Sequence, residues 1–234
     1  MGSCKAISIV ARWKRKPENP GWQSLLVLKS VLAAIALLLV CETSFAQNMS
    51  GIAIGNSADK LRELGAELVA KQDMGPHTAI RLKLPDGNEL SATFSRATGK
   101  IVYLESEWSG ERSGSFSDFP GMLFGKTTLD QIRERLGNNG MRYLEGPGEV
   151  SDDDGIATFN SYDLATSNTV VTFVSRISRA RMESLIKANG PNFEPNFGAE
   201  FKLAGLIWAD KSYLEGIWGE ERITDQPYTP IEWR

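Results

Sequence analysis

Side chains able to carry chemistry are sparse in this 234-residue chain. Any Ser-His-Asp triad or histidine metal site would have to use its one histidine, His77. His77 follows Met74-Gly75-Pro76, a turn leading into a strand, and no Gly-x-Ser-x-Gly nucleophile turn is present, so it reads as a turn residue. The run Asp152-Asp153-Asp154-Gly155 offers oxygen ligands of the kind calcium takes, but lacks the alternating loop and distal Glu, which leaves a solvated acidic loop. Glu105 and Glu107 share one face of a strand, as a glycosidase carboxylate pair can, although alternating acids on an open sheet face are common. Gly110 to Gly114 lacks the Lys and Ser/Thr of a nucleotide cradle. The sequence therefore predicts no catalytic residue, no metal ligand and no cofactor.

Other residues suit recognition better than reaction. Arg176, Arg179, Arg181 and Lys187 make the most basic stretch after the first 46 residues, and Phe193 and Phe197 follow it. Arginine and aromatic side chains carry much of the binding energy at protein interfaces, so Arg176, Arg179, Arg181, Phe193 and Phe197 are the candidate partner-binding residues. Arginines on an exposed helix are also commonly just solvated, and that reading stands beside the first. Trp108 and Trp208, at the ends of two comparable strands, read as core plugs, with ligand platforms as the alternative.

Composition bounds what must position these groups. With 41% hydrophobic and 24% charged residues the chain is globular in type. Its first 46 residues differ from the rest: Lys5, Arg12, Lys14, Arg15, Lys16 and Lys29 precede the apolar run Val31 to Cys41 and then Ser44-Phe45-Ala46. A basic leader, a short apolar stretch and small residues before a cut are the parts of a secretory signal, with cleavage expected after Ala46. Eleven apolar residues fall short of the ~20 that a spanning helix needs, which argues against an uncleaved anchor. Val40, not a small residue, precedes Cys41, which argues against lipidation. Six of the 26 basic and two of the 29 acidic residues fall in the leader, so residues 47 to 234 carry 20 against 27 and a net charge of −7. That sign excludes nucleic acid as an expected partner. Both cysteines, Cys4 and Cys41, lie in the leader, so the expected mature chain has no disulfide and no thiol nucleophile.

The remainder is self-similar. Ile54-Gly55-Asn56-Ser57 opens a segment with Leu61, Leu64 and Gly65; Phe124-Gly125-Lys126-Thr127 opens another with Leu129, Ile132, Leu136 and Gly137. Each begins with a hydroxyl placed to cap a helix, and Thr127 with Asp130 approximates a capping box. Leu129, Ile132 and Leu136 fall on one helical face. In the first segment Gly65 either ends a short helix or sits inside a longer one reaching Lys71. Strands are predicted over Ile80 to Leu84, Leu90 to Phe94 and Ile101 to Trp108, then over Ala157 to Leu164, Thr169 to Ser175 and Lys202 to Trp208, with Thr172-Phe173 echoing Thr93-Phe94. An insertion separates Phe173 from Leu203: Arg179 to Asn189 reads as a helix ending at Gly190, with Met182, Leu185 and Ile186 on one face. Tyr213, Leu214, Ile217 and Trp218 give a short amphipathic helix closed by Gly219, and the end carries Tyr228, Ile231 and Trp233, aromatics and an isoleucine suited to pinning a tail.

This apolar-Gly-x-Ser/Thr start, short helix and three-stranded meander, repeated over Ile52 to Asp210, resembles the fold shared by beta-lactamase-inhibitor proteins and the outer-membrane assembly lipoproteins of the OmlA type. The resemblance implies an α+β fold: two tandem helix-plus-antiparallel-meander units forming a curved sheet, or two small neighbouring sheets, with helices on one side. The expected divisions are a signal peptide at 1–46, a first unit at 47–110, a second at 111–210 with an insertion at 176–200, and a C-terminal helix and docked tail at 211–234. By function it implies an exported, non-enzymatic protein-binding or scaffolding module of the bacterial envelope, periplasmic or secreted. Its partner would be another envelope or secreted protein, with membrane contact only through the leader. An inhibitor of a secreted hydrolase is the alternative, and a carboxylate-dependent hydrolase a third reading.

Overall fold

The computed structural model describes residues 48–110, 117–190, 197–224 and 228–232. The expected leader and its cut, together with Phe193 and Trp233, lie outside the described residues, and Phe197 enters only through its backbone. The chain is α+β. A 3-10 helix (Ala58–Leu64) leads into β1 (Glu67–Met74), β2 (His77–Lys83), β3 (Glu89–Ser95) and β4 (Ile101–Glu107). Helix α1 (Leu129–Leu136), β5 (Arg142–Tyr143), β6 (Glu149–Ser151), β7 (Gly155–Asp163) and β8 (Thr169–Ser178) follow. Then come α2 (Arg179–Asn189), α3 (Phe197–Glu200), β9 (Lys202–Asp210), α4 (Lys211–Trp218) and β10 (Arg222–Ile223). Eight strands pair antiparallel in the order β1-β2-β3-β4-β9-β8-β7-β6, while β5 and β10 pair with each other. Among the described residues no helix is long and apolar enough to cross a membrane.

The strands' composition decides which faces are covered. In β3, Leu90 and Ala92 are buried in the main core while Ser91 between them is not, the alternation of a strand with one covered face. Strand β9 has no such alternation: Leu206 and Trp208 enter the main core, and Ile207 and Ala209 enter a second cluster. A strand apolar on both sides needs cover on both. The 3-10 helix and α1 supply Leu61 and Ile132 to the main core, whereas α4 supplies Leu214 to the second cluster. The expectation of helices on one side is thereby corrected; α4 lies over the opposite face because Val170, Ile207 and Ala209 would otherwise meet water. Leu104, Leu206 and Phe173, each 0% exposed, contribute about 1.5–3 kcal/mol apiece through burial.

Local details correct the sequence reading elsewhere. The first helix stops at Gly65, and residues 67–74 form β1, so the alternative of a helix reaching Lys71 is excluded and four strands stand where three were expected. The cap of α1 is one residue later than predicted: Thr128 accepts from the Gln131 amide and Gln131 reaches back to the Thr128 amide, while the Thr127 hydroxyl accepts from Leu123. The Thr-Phe echo is out of register, since Thr93 pairs with Tyr103 but Thr172 with Ile207. Instead, β4 is irregular where Thr93 and Phe94 face Tyr103 and Ile101, and β9 where Val174 and Ser175 face Gly205 and Leu203. Each irregularity leaves one extra residue, Val102 in one strand and Ala204 in the other. Helix α2 spans Arg179–Asn189 as predicted and stops at Gly190, with Leu185 buried, Met182 packed beside it and Ile186 exposed.

The tail is docked. Ile231 is buried and pairs in parallel with Leu164, its carbonyl accepting from the Ala165 amide at 2.9 Å. Asp163 anchors the same region, 2.9 Å from Arg222 and 3.7 Å from Lys211, and its amide donates to the Tyr228 hydroxyl. Arg222 is also paired with Glu215.

Candidate partner-binding cleft

Strand β8 runs straight into the insertion, because Ser178 caps α2 by accepting from the Arg181 amide. The chain returns through α3 into β9, which places Glu200 and Lys202 beside the start of α2. Between these elements and the end of β4 lies a cleft of about 510 Å³, lined by Trp108, Arg176, Arg181, Glu200 and Lys202 among others. The segment Glu107–Gly110 contributes its other border.

Both of its arginines are held by carboxylates, Arg181 by one inside the cleft and Arg176 by one beside it. Arg181 donates from Nε and Nη2 to Glu200 at 2.8 and 3.0 Å, a fork-on-carboxylate pair that leaves Nη1 outside it. Arg176 Nη1 lies 2.9 Å from both oxygens of Asp152. The Arg181 hydrogen bond holds the Glu200 carboxyl below its usual range, and Arg176 does the same for Asp152. Both carboxylates are thus ionised at neutral pH and poor proton donors there. Asp152 further accepts from the amides of Asp154 and Gly155, so the acidic run is a closed turn that orients Arg176. Lys202 donates to the Ala199 carbonyl at 3.0 Å.

Trp108 is half-buried, packs against the main core and lines the cleft, whereas Trp208 is wholly buried. The indole sits over Gly125: a Cβ there would lie 2.5 Å from its Cη2 atom. Gly125 has φ +67°, and both its conformation and this close approach require glycine.

The cleft brings Arg176 and Arg181 together and leaves Arg179 out. Arg179 instead donates to the Asp152 carbonyl at 2.8 Å and lies 3.8 Å from Asp153. Sequence reasoning missed Glu200 and Lys202 as cleft residues; an acid and a base flanking Phe201 immediately before the apolar run of β9 were the available signal. Of the carboxylate pair, Glu107 lines the cleft and Glu105 does not. Glu105 accepts from the Tyr103 hydroxyl at 2.9 Å, and burial raises its pKa. His77 opens β2 and meets the Tyr213 ring edge-on at 5.0 Å, a packing role. Among the described residues no group of three His, Cys, Asp or Glu side chains is placed to hold a metal ion.

Comparison with protein-family models, with curated proteins and with solved structures finds no match to this chain.

Proposed function

We propose that the chain is an exported, non-enzymatic protein-binding or scaffolding module of the bacterial cell envelope, periplasmic or secreted, and that it grips another envelope or secreted protein at the cleft beside its 176–200 insertion. The observation that carries this reading is the state of Arg176 and Arg181. Their side chains are 33% and 51% exposed, yet each is already fixed by two-point contact with a carboxylate. A side chain ordered in advance loses little rotamer freedom when a partner arrives, which is how a half-exposed arginine becomes a strong contact. Support against a carboxylate-dependent hydrolase comes from separation: the described acids with raised pKa, Glu105 and Asp118, are not cleft residues, while Glu200, which is, is held ionised.

We also read the sheet as two tandem units meeting at β4 and β9, as in the inhibitor and assembly-lipoprotein fold. Matched hydrogen bonds support this: Gly55 donates to the Ile101 carbonyl and Gly125 to the Leu203 carbonyl, both at 2.8 Å. Ser57 bridges Lys100, and Thr128, one residue further from its glycine, bridges Lys202; the extra residues Val102 and Ala204 each lie two residues beyond those lysines. The tight turn before Lys100 in the first unit is replaced by the insertion before Lys202 in the second, so the added chain is what builds the cleft.

The test is retention of envelope proteins on the immobilised chain, with R176A/R181A alongside. The wild type is expected to retain a partner that the variant releases, more readily as salt rises. A captured hydrolase that loses activity on binding selects the inhibitor form of the proposal. Equal retention by both proteins refutes the cleft as the contact surface.

A further inference from the structure

The sheet's apolar face is left partly uncovered at its β1–β2 edge. The helix above it is seven residues long and buries only Leu61, and every residue of β1 is exposed. Pairing sets Leu68 opposite Leu82 and Lys71 opposite Ile80, so Leu68 and Lys71 project on the same face as those two apolar residues. Between this strand and the helix runs a groove of about 480 Å³, apolar along Leu61, Leu68, Ile80, Leu82 and Phe94, with Arg62 on the helix and Lys71 on the strand. Asp59 is its one acidic lining residue, in a loose 3.8 Å pair with Arg62, so cations outnumber anions at the rim.

We propose that this groove binds a single-chain anionic amphiphile, a long-chain carboxylate, with the hydrocarbon along its apolar residues and the anionic head between Arg62 and Lys71. Charge chooses the head: two cations, one on the helix and one on the strand, line an apolar groove in a chain whose net charge is negative. Size chooses a small ligand, because the volume lies within the roughly 300–1,000 Å³ of small-molecule sites. The strand edge beside it is poorly suited to a protein strand, since β1 is irregular between Leu68 and Ala70 and carries Lys71, two devices that discourage edge pairing. The groove shares no residue with the cleft and the proposal does not depend on it.

The experiment is calorimetric titration of the purified full chain with octanoate, decanoate and laurate below their micelle concentrations, with dodecyltrimethylammonium as the cationic control. Saturable one-to-one binding is expected, strengthening by up to roughly fourfold per added methylene, with the cation bound weakly or not at all. Leu68 is 56% exposed, so L68E is expected to fold as the wild type does, checked by circular dichroism, and to weaken laurate by about tenfold or more. R62E/K71E is expected to lose laurate and gain the cationic amphiphile. Failure of laurate to saturate, affinity independent of chain length, or unchanged affinity in L68E overturns the proposal. So does Leu68-dependent capture of a protein without laurate binding, which would make the groove a protein contact.

Discussion

Replacing Gly125 by alanine separates two costs that the structure assigns to one position. The first is backbone: alanine at φ +67° costs about 1 kcal/mol relative to glycine. The second is collision, because the new Cβ would stand 2.5, 2.7 and 3.0 Å from the Trp108 Cη2, Cζ2 and Cζ3 atoms. The indole must move, and it packs against the main core. Removing a fully buried tryptophan costs roughly 3–5 kcal/mol, so displacing this half-buried one is set at about 1–2 kcal/mol, for a total of about 2–3 kcal/mol. Gly55 is the control: its φ is +83° and nothing lies within 4 Å of its Cβ position, so G55A is expected to cost only the ~1 kcal/mol of backbone. Urea unfolding followed by far-ultraviolet circular dichroism measures both, and W108L supplies the second arm of a double-mutant cycle. In the W108L background the cost of G125A is expected to fall to about 1 kcal/mol. Equal costs for G125A and G55A, or a cost of G125A that W108L leaves unchanged, would refute the collision.

Acid sensitivity is expected to change in R181M. Glu200's folded pKa is depressed by its hydrogen bond from Arg181, so its contribution is full above the unfolded carboxylate value and is lost as pH falls through the lower folded value. Urea midpoints from pH 7 to 3 should therefore fall less steeply in R181M than in the wild type, and parallel curves would count against the pair. Glu105 has the opposite sign: burial raises its folded pKa, so its charge opposes folding at neutral pH and the opposition fades as pH falls through the raised value. E105Q, able to keep the Tyr103 hydrogen bond, is expected to be more stable than the wild type at pH 7, the gap closing in acid; a less stable E105Q at pH 7 rejects this. I231A is expected to cost about 2 kcal/mol and to speed hydrogen exchange at the Ala165 amide, which donates to the Ile231 carbonyl. Unaltered exchange would mean that the tail is not held by that contact.

Helix α2 was legible because its end is written in local chemistry, a glycine stop with proline beyond, and its apolar residues recur at helical spacing; its Ser178 cap emerged with the structure. The hairpin β2–β3 was legible for the same reason, with apolar alternation on either side of Pro85-Asp86-Gly87-Asn88. Strand β1 was not, because Glu67-Leu68-Val69-Ala70-Lys71 has neither alternation nor burial and takes its conformation from pairing with β2. The position of α4 was readable in principle from the unbroken apolar run of β9, a strand that needs cover on both faces. The cleft was half visible. Its arginines stand out in an acidic chain, but the carboxylates that fix them, Asp152 and Glu200, come from segments 24 and 19 residues away. Spacing alone does not say which acid meets which base.

The pairing of β4 with β9 also sets the order in which the sheet can be completed. Strands β1 to β4 are joined by short turns and can assemble from neighbouring residues, but β9 joins β4 with about a hundred residues of chain between the paired positions. It must also accept β8 on its other edge. Contacts so distant in sequence are the slow ones to form, because chain entropy is lost before they repay it. Until β9 has been synthesised, β4 presents an unpaired edge with Ile101 and Leu104 beside it, an opening for wrong association. The centre of the finished sheet is therefore the last place to close as the chain emerges, and a chain ending before Lys202 keeps the first meander but lacks the strand that seals it.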